Sequence, residues 1–494
     1  MHDIVATINS YIWSSALVYL CLGAGLFFSI LTRFVQVRQI REMIRLLTEG
    51  RESKEGISTF QALAVSLSGR VGTGNIAGVA AAIGFGGPGA VFWMWVVAFL
   101  GASTAYVEST LGQIYKEVDD KQYRGGPAFY IEKALGQKWY AWLFALSTVL
   151  ATGFLLPGVQ ANAIGNAVDL ALGGGALIES PFGEVSRVKL ITGSTVVLFL
   201  GVIIFGGVKR IAHFTQIVVP LMALAYIVSA LVIIFLNISA VPDIFALILK
   251  DAFTPMAGFG AAIGWGVKRG IYSNEAGQGT GPHAASAAEV QHPAQQGLVQ
   301  AFSVYVDTLL VCSATAFMIL ITGAYHVDGV EAAVSSGTLM ATVDPNSPAF
   351  TQMAVETVVS GVGAPFVAVA LFFFAFTTLL AYYYIAETNV AYIKRTLNIP
   401  GLMLILKFGL LATVFYGALR TASLAWALGD IGVGLMAWLN IVGILIIFLA
   451  GQPAIKALRD YEKQKAEGRE KYSFDPKALG IKNAEFWENR LKEK

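Results

Sequence analysis

The chain carries eleven stretches that stay apolar for about the thickness of a bilayer, and no other feature limits its fold as strongly. A helix needs about 20 predominantly apolar residues to cross hydrocarbon. The stretches fall at 12–32, 58–84, 89–115, 139–171, 189–206, 213–237, 254–275, 297–323, 363–393, 401–418 and 427–451. Several exceed the minimum length and are expected to tilt. Composition agrees: of 494 residues, 13% are charged and 56% hydrophobic, which excludes a soluble multidomain protein. The 66 charges (34 basic, 32 acidic) are unevenly spread, with 38 in residues 33–57, 116–138 and 452–494 and only 28 in the other 403. The net charge of +2 carries no nucleic-acid signal. Cys21 and Cys312 sit inside apolar runs, fit neither a disulfide framework nor a metal-binding spacing, and are expected to be buried, inert thiols.

The first stretch is too long for a signal-peptide core; no Lys or Arg precedes it and Arg33 follows it, so it reads as a true helix. Lys and Arg then orient the whole chain. Arg33, Arg38, Arg41, Arg45, Arg51 and Lys54 follow the first helix, Lys116, Lys121, Arg124, Lys133 and Lys138 the third, Lys209 and Arg210 the fifth, Lys394 and Arg395 the ninth, and eleven more stand in the tail. Opposite loops hold only Arg187, Lys189, Lys250 and Arg420. The N-terminus is therefore expected outside and the C-terminus in the cytoplasm. Residues 452–494 read as a polar tail, a solvated helix or a disordered end.

Two stretches are interrupted by glycine. SLSGRVGTGNIAGVAAAIG puts Gly69, Gly72, Gly74 and Gly78 near mid-depth in the second. GFGAAIGWGVKRGIYSNEAGQGTGP puts Gly258, Gly260, Gly264, Gly266 and Gly270 in the seventh. With the first helix set aside, the interruptions fall at helices 1 and 6 of a five-plus-five arrangement, the pattern of a carrier's midplane site. Five is odd, so two such repeats have opposite orientations. An unwound helix exposes N–H and C=O groups that only a polar cavity or a ligand can satisfy. Half-helix N-termini favour an anionic group and bare carbonyls a cation, so one site suits a zwitterion with Na⁺. The competing reading is close helix packing through small residues, as in Gly74-xxx-Gly78. A nucleotide loop is discarded, because no strand precedes the glycines.

The stretch 363–393 has Thr377 and Thr378 near mid-depth. Consecutive hydroxyls point about 100° apart, so both serve one ion only at the edge between them. Hydroxyl and carbonyl oxygens suit a hard cation; alternatively, each threonine bonds its own i−4 carbonyl.

At this point a family resemblance appears. GGPGAVFWMWVVAFLG at 86–101 resembles the signature of the sodium:alanine/glycine symporter family, and SGRVGTGNIAGVA at 68–80 and SNEAGQGTGP at 273–282 resemble two more of its motifs. The resemblance runs from about residue 10 to 450. It implies an all-α membrane protein of eleven transmembrane helices: one extra N-terminal helix, then a LeuT-type inverted repeat with two broken helices. It also implies inward transport of a small neutral amino acid with Na⁺. The corresponding segments are 1–57, a first repeat at 58–237, a second at 254–451, and the tail.

By this resemblance the substrate carboxylate meets the N–H groups of Thr73 and Gly74, with Asn75 bracing the turn. Sodium lies between the carbonyls of Ser68 and Val71 and the hydroxyls of Thr377 and Thr378. Gly264, Trp265, Gly266 and Gly270 are substrate-site candidates by depth. Where the family pattern is Gly-Trp-Tyr-Tyr-Tyr-Gly-Glu, this chain has Ala381-Tyr382-Tyr383-Tyr384-Ile385-Ala386-Glu387. Tyr382 in place of tryptophan leaves different room and brings serine or glutamine in beside alanine and glycine.

Charges at membrane depth cost about 2.5–3.5 kcal/mol each on insertion scales and mark function. Arg70 adjoins the proposed substrate turn and is assigned a gating role, through Glu108, Glu275, Asp307 or Glu387. Lys268, Arg269 and Glu275 are expected toward the cytoplasmic end of the seventh stretch, and His283 and His292 in the loop that follows. A membrane-embedded enzyme using Glu275 and His283 is the rival reading, but no nucleophile motif or metal spacing supports it. The expected partners are a small neutral amino acid, sodium and the lipid bilayer of a prokaryotic inner membrane, without nucleic acid. Nothing in the sequence speaks to oligomeric state.

Overall fold

The structure, a computed structural model, describes residues 2–48, 53, 55–180, 183–330, 343–397 and 399–492. Arg51 and Lys54, used above for orientation, lie outside them.

Among the described residues, nine helices are long and apolar enough to cross a membrane: Asp3–Leu31, Ala90–Ile114, Lys138–Ala171, Arg187–Ile204, Gly207–Leu236, Pro293–Thr322, Gly363–Lys394, Leu402–Leu419 and Ala422–Gly451. Each covers one of the expected stretches. The remaining two stretches are the interrupted ones. Thr59–Arg70 stops, one loose π-type turn follows at Gly74–Gly78, and the helix resumes at Val79–Gly86. Phe259–Asn274 stops and a new helix starts at Gly281–Ala287.

Local chemistry sets these ends. Ser58 and Gln61 form a reciprocal capping box that starts the first broken helix. His292 caps Pro293–Val304, its Nδ1 accepting from the Ala294 N–H at 3.1 Å, with Pro293 supplying the first turn.

Burial separates the inner helices from the lipid-facing ones. In Ala90–Ile114 and Pro293–Thr322, 67% of the apolar window is covered by protein, against 28% in Gly207–Leu236 and Leu402–Leu419. The outer helices present Leu198, Leu221, Leu231, Phe235 and Phe408 outward, which water would penalise and hydrocarbon does not. The two broken helices lie against each other and against Ala90–Ile114. The N-terminal helix His2–Ile12 packs on Ala422–Gly451.

The seventh stretch corrects one expectation. Its glycines at 260, 264, 266 and 270 do not interrupt anything, for the helix runs unbroken from Phe259 to Asn274. A Cβ on Gly266 would lie 2.5 Å from the Ala90 carbonyl oxygen, and one on Gly270 would strike Val97. These two glycines admit Ala90–Ile114 at close range, the small-residue packing of membrane helices. The real interruption comes later, at Glu275–Thr280, where Glu275, Gly277 and Gly279 have φ of +56°, +87° and +82°.

The tail is a second correction. Pro453–Ala466 and Glu485–Lys492 fold back on the protein and bury Tyr461, Phe474 and Trp487. Glu462 pairs with Arg33 and Arg38 at 2.8 and 2.7 Å, Lys465 with Glu42 at 2.8 Å, and Arg490 with Glu289 at 2.6 Å. The Trp487 indole donates to the Gln113 carbonyl at 2.8 Å. The tail thus uses its charges as ties to the 33–45 and 289–292 segments.

His283 is likewise not a loop residue, whereas His292 stands, as expected, in the short connection just before Pro293. Both are fully buried: His283 sits in the Gly281–Ala287 helix with Asn389 Nδ2 2.8 Å from its Nε2, and His292 faces Asp460 at 3.2 Å.

Candidate functional site at the two helix breaks

The first break opens at Val71, whose ψ of 85° ends the helix. Its freed groups are taken up locally. The Gly72 N–H donates to Asn75 Oδ1 at 2.8 Å, and both the N–H and the hydroxyl of Thr73 donate to Gln160 Oε1, at 3.0 and 2.8 Å. The Ser68 carbonyl accepts from the Thr378 hydroxyl at 2.7 Å. Gly72 is required here, because a Cβ would strike Thr378 Oγ1.

The second break is held by one carboxylate. Glu108, fully buried in Ala90–Ile114, accepts from the N–H groups of Gly277 and Gly279 at 3.2 and 3.1 Å. Asn440 bridges Glu108 and the Gly277 carbonyl at 2.6 and 2.9 Å. The Thr280 hydroxyl donates to Glu275 Oε2 at 2.8 Å, and Glu275 Oε1 is buried with no hydrogen-bond partner. Unwound backbone at this depth persists because protein groups replace the missing helical bonds.

The first break meets the last turn before the second at Gly74, where an added Cβ would stand 3.1 Å from Ser273 Cα and 3.1 Å from the Tyr272 ring. A cluster of buried polar groups joins them to the Pro293–Thr322 helix. Asp307 Oδ1 accepts from Asn75 Nδ2 at 2.6 Å and from Ser273 Oγ at 3.0 Å, and its Oδ2 accepts from Thr308 at 2.7 Å. That helix is widened to π geometry over Tyr305–Cys312, a distortion common at functional sites. The result is a buried centre with a carboxylate, several hydroxyls, amides and the Ser68 carbonyl, groups of the kind that hold a cation and a zwitterion.

Arg70 lies on the tail side of the first break, 1% exposed. Its Nη1 donates to the Gln300 carbonyl at 3.1 Å and to Ser303 Oγ, while Nε and Nη2 have no hydrogen-bond partner. Among the described residues no carboxylate stands within ion-pair distance of it, so the four acids named above do not pair with it directly. Glu108 and Asp307 are occupied as described, and Glu387 lies 3.8 Å from Arg124.

The other candidates separate by position. Thr73, Gly74, Asn75, Ser68, Val71 and Thr378 gather at the first break. Tyr382, 2% exposed, lies one turn beyond Thr378 on the same helix. Thr377 does not join them: its hydroxyl bonds the Phe373 and Phe374 carbonyls at 2.9 and 3.0 Å and faces Met222 Sδ. The 100° step between neighbours puts it on the far side of its helix. Gly264 and Trp265 line a separate cavity nearer the N-terminus, together with Lys268 and Arg269. These two cations are not at the tail end of their helix; both pair with Asp430, at 2.7 and 2.8 Å.

Residues missed by sequence reasoning are Gln160, Ser273 and Asn440, and the bracing role of Glu108 and Asp307. Their signal was faint but present. Gln160 is the first of three amides, with Asn162 and Asn166, after Pro157-Gly158 inside an apolar run, Ser273 opens the SNEAGQGTGP motif, and both acids stand at membrane depth.

Comparison with known proteins places this geometry. A model of the sodium:alanine symporter family matches residues 1–475. A Bacillus subtilis (strain 168) protein provisionally named a sodium/proton-dependent alanine carrier is 57% identical over 99% of this chain and 98% of its own. A sodium/proton-dependent alanine carrier protein of Bacillus sp. (strain PS3) is 49% identical over 91% of this chain and 98% of its own. The crystal structure of MhsT in complex with L-phenylalanine superimposes with a TM-score of 0.51 at 16% identity, over 81% of this chain and all of that one, a likeness of fold. The overall fold is thus shared with a solved protein, and sequence identity runs nearly end to end with carriers rather than enzymes. The chain belongs to the sodium:alanine symporter family.

Proposed function

We propose that this protein is a sodium-coupled symporter that imports a small neutral amino acid by alternating access. Alanine is the first candidate substrate, after the relatives' names; glycine, serine and glutamine follow, because Tyr382 changes the pocket wall. The observation that carries the reading is the contact of the first break, at Gly74, with the last turn before the second, beside the Thr378–Ser68 contact. The substrate lies between the breaks, its carboxylate taking the Thr73 and Gly74 amides in place of Gln160. Sodium takes the Ser68 and Val71 carbonyls and the Thr378 hydroxyl, with Thr377 left out. Asn75 braces the turn, and Arg70 closes the path on the tail side. The nine long apolar spans among the described residues and the two broken helices make eleven crossings, ten of them in an inverted repeat. The basic segments put the N-terminus outside a prokaryotic inner membrane and the tail inside.

The energetics suffice. One Na⁺ down a tenfold gradient releases about 1.4 kcal/mol, and 100 mV adds about 2.3 kcal/mol. Together these accumulate a neutral solute by roughly a few hundredfold. A proton as a second coupling ion is favoured by one observation, the partnerless Glu275 Oε1 at the second break.

Uptake of radiolabelled alanine into proteoliposomes, with and without an inward Na⁺ gradient, tests the reading. Gradient-driven accumulation is expected; equal uptake in both conditions would leave a sodium-independent exchanger. Competition by glycine, serine and glutamine ranks the substrates.

A further inference from the structure

On the tail side of the centre, the outer ends of the two broken helices are joined. The Ile57 N–H donates to the Ala287 carbonyl at 2.9 Å, and the Glu289 N–H donates to the Ile57 carbonyl at 2.8 Å. This parallel bridge links the residue that leads into Thr59–Arg70 with the end of Gly281–Ala287. The two half-helices that close the centre on this side therefore share one joint, and a swing of either pulls on it.

Side chains at the end of Ala90–Ile114 anchor the joint. Gln113 Nε2 donates to the Ala288 carbonyl at 3.0 Å and to that of Ala285, and the Lys116 ammonium donates to the Ala288 carbonyl at 2.8 Å. Both anchors are completed by the last helix of the tail, Glu485–Lys492. The Trp487 indole holds the Gln113 carbonyl at 2.8 Å. Phe486 and Trp487 stand 4.6 and 5.7 Å from Lys116 Nζ, with Tyr123 at 4.1 Å, and Lys116 is wholly buried beneath these rings. An ammonium so enclosed keeps its one carbonyl tightly, because water no longer competes for it.

Arg490 grips the joint itself, donating to Glu289 Oε1 at 2.6 Å and to the Val290 carbonyl at 3.1 Å. The Tyr123 hydroxyl, donating to Glu289 Oε2 at 2.7 Å, holds that carboxylate in place. The last tail helix thus bonds on both sides of the connection between the joint and Ala90–Ile114.

We propose that Glu485–Lys492 is a clasp on the tail-side path. Arg490 and Trp487 are positioning residues that act through Glu289, Gln113 and Lys116 to hold the two half-helices closed, and the path opens to the tail side when the clasp lets go. The clasp rests on the alternating-access reading above, since it governs one of the two states that reading requires.

An introduced thiol reads the state of the path. S66C is a near-isosteric change at a residue 5% exposed inside Thr59–Arg70. Its labelling by a polar maleimide is followed by peptide mass spectrometry on the purified full-length protein at neutral pH, with the natural Cys21, buried in Ser15–Leu31, as the control. In R490Q with W487F the introduced thiol is expected to react about tenfold faster, the population shift that losing a charge-assisted tie allows. F486A, which only opens the cover over Lys116, should act in the same direction. Cys21 should stay unchanged, and each variant should elute as monodisperse as the S66C parent. Unchanged labelling at position 66 in both variants overturns the clasp and leaves the symporter reading standing. Cys21 speeding up in step with it marks general loosening and overturns the clasp too. The S66C parent is tested in parallel for alanine uptake in a Na⁺ gradient. No accumulation there, with labelling still answering to the clasp, overturns the symporter reading alone.

Discussion

Thr378 donates to the Ser68 carbonyl at 2.7 Å, tying the middle of Gly363–Lys394 to the last turn of Thr59–Arg70 just before that helix unwinds. Thr377, its neighbour, bonds only carbonyls of its own helix and faces Met222. The two hydroxyls therefore carry different consequences. Thr378→Val should raise the Na⁺ concentration for half-maximal uptake by about tenfold to a hundredfold, the equivalent of losing about 1.5–3 kcal/mol of contact with a charged group. Thr377→Val should stay within about twofold of wild type. Sodium activation curves in proteoliposomes decide this, and equal shifts in both variants would refute the assignment.

Asp430 answers two cations while only 1% exposed. Asp430→Asn leaves Arg269 buried without a counter-charge, a loss of about 3–5 kcal/mol for a broken buried pair. Thermal unfolding in detergent should show a clear drop for Asp430→Asn and a smaller one for Lys268→Gln, whose side chain is 14% exposed and whose removal keeps the Arg269 pair. The reverse order would contradict the geometry.

Glu108 accepts from both the Gly277 and the Gly279 amides in the second break. Glu108→Ala strands two buried donors, at about 1–3 kcal/mol each. Glu108→Gln keeps one acceptor oxygen and should fall between. Amide hydrogen exchange over 276–280 should speed up in the order wild type, Gln, Ala, while exchange in Arg187–Ile204 stays unchanged.

The tail should detach in acid. Burial alone would raise the Glu42 carboxyl, but hydrogen bonds from Arg45, Lys465 and Tyr461 hold it at about 2, below its ordinary 4.5. Its contribution is complete above 4.5 and is lost as pH falls toward 2. Burial pushes the His292 imidazole below its ordinary 6.5, with Asp460 opposing in part. The Ala294 N–H points at Nδ1, so the neutral ring carries its proton on Nε2 toward Asp460. Its contribution is complete above 6.5 and shrinks below. Limited proteolysis of 453–494 should accordingly be slow at pH 7–8, faster below about 6 and fastest below about 4.5. Glu42→Gln should shrink the lower step, to which the Glu289–Arg490 pair also contributes, and leave the upper one unchanged.

The legible parts of this molecule were those written in local composition. Helix positions followed from apolar length, and the first break from glycines grouped with Asn75. The second break was misplaced because glycine does two unlike things in a membrane helix. Gly266 and Gly270 admit a neighbour at close range, while Gly277 and Gly279 take positive φ, and only tertiary contact tells these apart. Thr377 and Thr378 looked like a pair for a related reason, since adjacency in sequence is divergence on a helix. The tail looked solvated because its charges count the same whether they face water or, as Glu462 and Arg490 do, fixed partners more than 200 residues away.

The ends of the chain hold one another. The Trp13 indole donates to the Asp430 carbonyl at 2.8 Å, and the Trp438 indole to the Ile12 carbonyl at 3.0 Å, contacts that span 417 and 426 residues. During synthesis His2–Ile12 therefore gains its packing partner only once the last helix has been inserted. Contacts of such sequence separation form late and slowly. A chain stalled before residue 422 would leave the Trp13 indole without its acceptor and the face of His2–Ile12 that packs on Ala422–Gly451 uncovered.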